Sequence, residues 1–235
     1  MARLRFTFIV AACAASSIYI VGCGNTAKHS QSEERIKVAQ SSTAPAAAPA
    51  KSRDGWPVIV TFGDSLTAGV AGRSYPDQLQ ELLDRNGYRY RVDNQGVSGD
   101  TSTDGLARID NVIAEKPALV LLEFGGNDGL RGVPASEIHT NLQEMIDKLK
   151  EGQVPIVLLG ITLPPNYGPE YVKEFTALYP ELAKKNKLRY MPFLLLNVYQ
   201  HRDMMQGDGI HPNGAGNSVV AQDVFKLIQP QLSKS

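Results

Sequence analysis

Ala118-Leu119-Val120-Leu121-Leu122-Glu123-Phe124 is a short aliphatic run without polar alternation. A strand with one wet face alternates, so such a run predicts a strand covered on both faces. Val58-Ile59-Val60-Thr61-Phe62 and Val154-Pro155-Ile156-Val157-Leu158-Leu159-Gly160-Ile161 have the same character. Tyr90-Arg91-Val92-Asp93 adds a short strand, and a weaker fifth lies from Arg189 to Leu195. Between them stand segments with helical spacing: Tyr75 to Arg85, Asp104 to Ala114, Ala135 to Lys150, Glu170 to Lys185 and Gly214 to Leu232. Alternating strands and helices imply parallel βαβ units. The expected fold is α/β, a three-layer α/β/α sandwich on a central parallel sheet of about five strands. Reactive groups are then expected in the loops beyond the carboxyl ends of the strands.

The N-terminus reads differently. Arg3 and Arg5 precede an apolar run from Phe6 to Val21 that is too short and too interrupted by Ser16 and Ser17 to span a membrane comfortably. It has the pattern of an export signal. Its end, Ile20-Val21-Gly22-Cys23, resembles the bacterial lipobox, in which the cysteine receives a diacylglycerol and becomes the new N-terminus. Residues 1–22 are therefore expected to be a lipoprotein signal peptide. Residues 23–55 would be the lipidated Cys23 and an Ala/Pro/Ser-rich tether, and residues 56–235 one folded domain. The tether segment has too few large apolar residues to offset its ordering entropy. With Cys13 removed and Cys23 acylated, no thiol is left for a disulfide, so an ordinary core must stabilise the domain. Two acyl chains suffice for lasting attachment, at roughly 0.8 kcal/mol per buried methylene. The chain is expected to be exported and lipid-anchored to a bacterial cell envelope. Its 24 basic and 24 acidic residues balance, with no basic block to suggest nucleic acid as a partner.

Gly63-Asp64-Ser65-Leu66 follows the first strand directly and puts Ser65 at a strand-to-helix turn. That place exposes a hydroxyl, although Gly-Asp-Ser is also good helix-capping chemistry. A serine needs a base to remove its proton, so a histidine held by a carboxylate is the next requirement. His29 lies in the tether and His139 on the polar face of a predicted helix. Of His201 and His211, only His211 follows an acid closely, in Gly207-Asp208-Gly209-Ile210-His211-Pro212-Asn213. Three residues of separation in a loop let Asp208 reach one ring nitrogen while the other faces the serine. Acyl transfer also needs donors for an oxyanion. Two further turns follow predicted strands, Asn94-Gln95-Gly96-Val97-Ser98-Gly99-Asp100-Thr101 and Gly125-Gly126-Asn127-Asp128, and offer the Gly99 N–H and the Asn127 amide.

Gly63-Asp64-Ser65-Leu66, Gly99, Gly126-Asn127-Asp128 and Asp208-x-x-His211, in this order, resemble the four blocks of the SGNH (GDSL) hydrolase family. The likeness covers Val58 to Leu232. It is nearest to the bacterial branch of multifunctional acyl-CoA thioesterases, lysophospholipases and arylesterases, through Gly125 to Gly132 and Leu163-Pro164-x-Asn166-Tyr167-Gly168. The resemblance implies a flavodoxin-like fold and a serine esterase. In it Ser65 is the nucleophile, His211 the general base and Asp208 its orienter, with the Ser65 N–H, Gly99 N–H and Asn127 amide as oxyanion hole. The G-x-S-x-G elbow of α/β-hydrolases is missing. No cofactor is implied, and no Cys/His cluster suits a metal.

The resemblance also implies an apolar groove for one acyl chain. The loops Gly129 to Pro134 and Leu163 to Gly168 are candidates to line it, through Leu130, Val133, Leu163, Pro164, Pro165 and Tyr167. Acyl-CoA is a poor substrate outside the cytoplasm, so lysophospholipids or simple carboxylic esters are expected, acted on by a monomer. A carbohydrate acetylesterase of the same fold and a non-catalytic surface lipoprotein are the alternatives.

Overall fold

The computed structural model describes residues 52–70 and 72–234. The expected signal peptide, Cys23 and nearly all of the tether lie outside the described residues.

Five parallel strands form the sheet: β1 (Val58–Gly63), β2 (Arg91–Gly96), β3 (Leu119–Leu122), β4 (Ile156–Leu159) and β5 (Arg189–Met191). Their order is β2-β1-β3-β4-β5. This is the flavodoxin-like order, in which the chain adds β2 on one side of β1 and then crosses to build on the other. The tip of β1, where those connections diverge, is where Ser65 stands. The aliphatic runs explain the centre: β3 and β4 are buried at every residue, and β1 at all but Val58. Burial on both faces requires a helical layer on each side. Helices α2 (Tyr75–Arg85) and α7 (Gly214–Ile228) pack together as one layer. Helices α3 (Ser102–Ala114), α5 (Ala135–Glu151) and α6 (Pro169–Asn186) pack in succession as the other. Each fully buried aliphatic side chain contributes about 1.5–3 kcal/mol relative to exposure.

The elements differ from the sequence expectation at their ends, for identifiable reasons. The second strand extends to Gly96 because its register with β1 continues to Gly63↔Gly96. Strand β5 stops at Met191, since Pro192 has no N–H for the ladder. Helix α3 starts at Ser102 because Thr101 and Asp104 form a reciprocal capping box. Helix α7 ends at Ile228, and a 3-10 turn over Gln229–Gln231 takes in Pro230. Two short helices stand outside the five expected helical segments: α1 (Ser65–Ala68), into which the strand-to-helix turn at Ser65 leads, and α4 (Gly126–Leu130).

Glycine is required at two points beneath the site. A Cβ on Gly63 would stand 2.5 Å from Glu123 Oε2. Gly125 has φ of +120°, and a Cβ there would meet the Tyr179 hydroxyl at 2.5 Å.

Candidate active site

Ser65 is the first residue of α1, directly beyond the tip of β1. Asp64 caps that helix, its Oδ1 accepting from Leu66 N–H at 2.9 Å. The capping reading of the Gly-Asp-Ser turn and the reactive-serine reading therefore hold together: the cap fixes the turn that presents the hydroxyl.

His211 reaches the same point from the loop before α7. Its Nε2 lies 2.8 Å from Ser65 Oγ, across 146 positions of sequence. Its Nδ1 lies 2.7 Å from Asp208 Oδ2. Asp208 Oδ1 accepts from the backbone N–H groups of Ile210 at 2.9 Å and His211 at 3.0 Å, so the loop curls around its own carboxylate. Partial burial pushes the Asp208 carboxyl up. The bonds from the His211 ring and from the two N–H groups outweigh that and hold it at about 2. An ionised Asp208 favours the tautomer with hydrogen on Nδ1, leaving Nε2 free to accept from Ser65. Asn213 anchors the loop to α7 by accepting from Ala215 and Gly216 N–H.

Asn127 stands on the neighbouring tip, in α4 beyond β3. Its amide nitrogen donates to Asp64 Oδ2 at 3.1 Å and to the Asp100 carbonyl at 2.9 Å. Gly99 precedes Asp100 with φ of +90°, and its carbonyl accepts from Arg131 at 3.0 Å. Arg108 secures this turn, donating to the Asp100 carboxylate at 2.9 Å and to the carbonyls of Gln95 and Gly63. Its guanidinium also lies 4.3 Å from the centre of the Phe62 ring.

A cavity of about 120 Å³ opens beside Ser65 and His211. Asn127, Leu130, Ile161, Leu163, Pro164, Phe193, Leu195, Tyr199 and Ile210 line it. Of the residues expected to line a groove, Leu130, Leu163 and Pro164 do so; Val133, Pro165 and Tyr167 do not. Pro164 and Gly168 bracket a 3-10 turn over Pro165–Tyr167 that leads the chain away into α6. Val133 is held in its own loop, donating to the Asp128 carbonyl and accepting from the Tyr171 hydroxyl. The far wall, Phe193, Tyr199 and Ile210, was missed because it comes from turns whose apolar residues lack a period. Phe193 and Tyr199 meet edge to face at 6.0 Å, and Ile210, next to His211, is 40% exposed. His139 belongs to α5 and His201 is exposed; neither lines the cavity.

Two buried acids have no role that the sequence assigns, although Asp128 belongs to the Gly126-Asn127-Asp128 block. Asp128 accepts from Ser102 N–H at 2.8 Å and Ser102 Oγ at 2.6 Å, tying α4 to α3. Glu123 is fully buried at the end of β3, where Thr67 Oγ1 and Asp64 N–H donate to its Oε2.

Residues 61–219 match the GDSL-like Lipase/Acylhydrolase family. The chain belongs to this family. It is 42% identical over 178 residues to the esterase TesA of Pseudomonas aeruginosa, covering 74% of this chain and 89% of that one. It is 38% identical over 176 residues to the thioesterase 1/protease 1/lysophospholipase L1 of Escherichia coli K12, covering 73% and 83%. The crystal structure of a TesA superposes with a TM-score of 0.71 at 41% identity, over 74% of this chain and 99% of that one. The α/β fold expected from the sequence is thus that of a GDSL hydrolase. The protein is a carboxylic ester hydrolase, which sets aside the binding-module alternative.

Proposed function

We propose that Ser65, His211 and Asp208 carry out hydrolysis of single-chain acyl esters through an acyl-enzyme on Ser65. One observation supports this most directly: the continuous hydrogen-bond chain from Ser65 Oγ through His211 to Asp208, at the mouth of an apolar cavity. His211 Nε2 takes the Ser65 proton as Oγ attacks the acyl carbonyl. The oxygen that gains charge meets the N–H groups of Ser65 and Gly99 and the Asn127 amide. Ser65 N–H, at the first helical position, has no acceptor within its helix. As the intermediate collapses, His211 returns the proton to the leaving alcohol or thiol. Water then repeats the sequence and frees the acid. Losing one oxyanion donor costs about 10²- to 10³-fold in rate.

For substrates, the apolar wall of Leu130, Leu163, Pro164 and Phe193 favours an aliphatic acyl group over a sugar-borne acetyl group. The relatives named esterase and thioesterase/lysophospholipase point the same way. Lysophospholipids and simple carboxylic esters are the proposed substrates. The lipobox-like Gly22-Cys23 supports export and a lipid anchor on the bacterial envelope, which would hold a monomer where such lipids concentrate.

The test combines labelling with a substrate series. A fluorophosphonate should modify Ser65 alone, and Ser65→Ala should abolish both label and turnover. Rates on p-nitrophenyl esters should rise from acetate to medium chains, with release of fatty acid from lysophosphatidylcholine. Activity confined to acetyl groups would instead favour the carbohydrate acetylesterase. Full activity in Ser65→Ala would remove the proposed mechanism.

A further inference from the structure

Beneath the Ser65 turn lie two carboxyl groups with almost no access to solvent. Glu123 is 0% exposed and Asp64 2%. Glu123 Oε2 accepts from Thr67 Oγ1 at 2.8 Å and from Asp64 N–H at 3.2 Å. Glu123 Oε1 is buried and meets no donor among the described residues. The contact between Glu123 and the Asp64 backbone sets the two buried side chains close enough for each charge to act on the other. Asp64 in turn accepts from Leu66 N–H at Oδ1 and from the Asn127 amide at Oδ2. Around the pair stand His211 on the Asp64 side, Asp128 from α4, Tyr75 from α2 and Tyr179 from α6. The nearest guanidinium on α3, that of Arg108, is committed to Asp100 and to two backbone carbonyls.

Two adjacent carboxyls in so dry a place cannot both ionise, because each raises the cost of charging the other. Their surroundings decide which one keeps the proton. Asp64 has a donor on each oxygen, a backbone N–H on Oδ1 and a side-chain amide on Oδ2. Glu123 has both of its donors, Asp64 N–H and Thr67 Oγ1, on Oε2, and its Oε1 has none among the described residues. We propose that Glu123 is held as a neutral acid whose hydroxyl donates to Asp64, and that Asp64, held as the anion, is the positioning residue that aims the Asn127 amide. The inference rests on Asn127 being an oxyanion donor. Burial and the neighbouring Asp64 charge push Glu123 well above the usual carboxylate range; burial raises Asp64 to about 6, still ionised at neutral pH. Both Asn127 N–H groups have acceptors, so one must be shared when the oxyanion forms. The bond to the charged Asp64 is the stronger, so Asp64 remains the pivot while the Asp100 carbonyl yields.

Two measurements test this on the full chain. Infrared spectroscopy at pH 8 should show the carbonyl stretch of an un-ionised carboxylic acid in both wild type and Ser65→Ala, and Glu123→Gln should remove it. A wild-type spectrum without that band overturns the proposal, whatever the enzyme's activity. Kinetically, Glu123→Leu should lower kcat at least about tenfold with KM little changed. Glu123→Gln should restore most of it, since an amide can donate to Asp64 and accept from Thr67. Equal impairment of the two variants counts against the neutral acid. Should Glu123→Leu fail to fold, a double-mutant cycle replaces it. Asp64→Asn should cost about 10²-fold in kcat in the wild-type background and less than about threefold once Asn127→Ala is present. Additive losses would overturn the positioning role. An Asn127→Ala enzyme with undiminished kcat would sink the oxyanion reading instead, leaving the infrared result intact.

Discussion

Asp208 grips His211 at two points. Its Oδ2 meets the ring at 2.7 Å, and its Oδ1 accepts from the backbone N–H of the same residue at 3.0 Å. The second contact fixes where the ring begins and the first fixes which way it faces, so one carboxylate sets both position and tautomer. The Asp208 side chain is 42% accessible and that of His211 19%. So open a pair adds little to stability by its charges alone. Its worth lies in orientation.

Asp208→Asn should therefore separate catalysis from folding. An asparagine Oδ1 can still accept from Ile210 and His211 N–H, so the melting temperature should stay within a few degrees. Its amide cannot hold the required tautomer, and kcat should fall by about 10³- to 10⁴-fold. Kinetics on a p-nitrophenyl ester with a thermal melt checks both. A collapse of the melt in step with activity would mean that the carboxylate is scaffold.

The same group fixes an acid boundary. With its folded pKa depressed to about 2, Asp208 contributes stability that is present above the unfolded value near 3.9 and is lost as pH falls through about 2. Any loss of activity between pH 5 and 7 thus belongs to another group. An acid limb there that survives in Asp208→Asn is the expected result.

Chain-length preference should follow Leu163 and ignore Tyr167. Leu163→Ala enlarges the cavity and should favour longer acyl esters over short ones by about fourfold for each methylene newly buried, at about 0.8 kcal/mol apiece. Tyr167→Ala should leave the ratio of long- to short-chain kcat/KM unchanged. A shift in the Tyr167 variant would bring its loop back into the binding site.

Gly63→Ala should be poorly tolerated. The new methyl would press on the Glu123 carboxyl at 2.5 Å and the Glu123 carbonyl at 2.7 Å, in a strand held in register on both sides. Overpacking of this kind costs about 1–3 kcal/mol. Urea denaturation should show a loss near the upper end, and a loss below about 0.5 kcal/mol would mean that the floor of the site yields.

Alkaline pH should weaken the fold through Glu123. An acid whose folded pKa is raised binds its proton more tightly folded than unfolded, so stability falls as pH climbs from the unfolded toward the folded value. Asp64 contributes in this way between about 4 and 6, and Glu123 from its unfolded value near 4.5 upward, past the end of the Asp64 window. The slope is at most about 1.4 kcal/mol per pH unit for each proton. Glu123→Gln should flatten the decline above pH 6 in urea titrations at several pH values, and an unchanged slope would place the proton elsewhere.

The residues that meet at the candidate site, Ser65, Asn127, Asp208 and His211, were legible because each sits in a glycine-bearing turn after a strand or before a helix, where local chemistry is written in a few letters. The sheet centre was legible for a similar reason, since β1, β3 and β4 are almost wholly aliphatic. Edge strand β2 was read too short because Asn94 and Gln95 look like turn residues and only pairing with β1 keeps them extended. Glu123 was invisible: a lone acid within an aliphatic run gains meaning only when Asp64 and Thr67 arrive from the turn and short helix beyond β1. Likewise Tyr199 and Ile210 join the cavity wall through tertiary folding, which no spacing in the chain records.

The 146 positions between Ser65 and His211 carry a consequence for timing. The histidine loop is pinned at the far end by α7 on α2, where Asn217 donates to the Arg73 carbonyl and Gln78 to that of Gly214, each at 3.1 Å. An emerging polypeptide carries the proposed nucleophile, Ser65, long before the proposed base, His211, 146 positions later. Their meeting therefore waits until the histidine loop has been made and α7 has docked on α2.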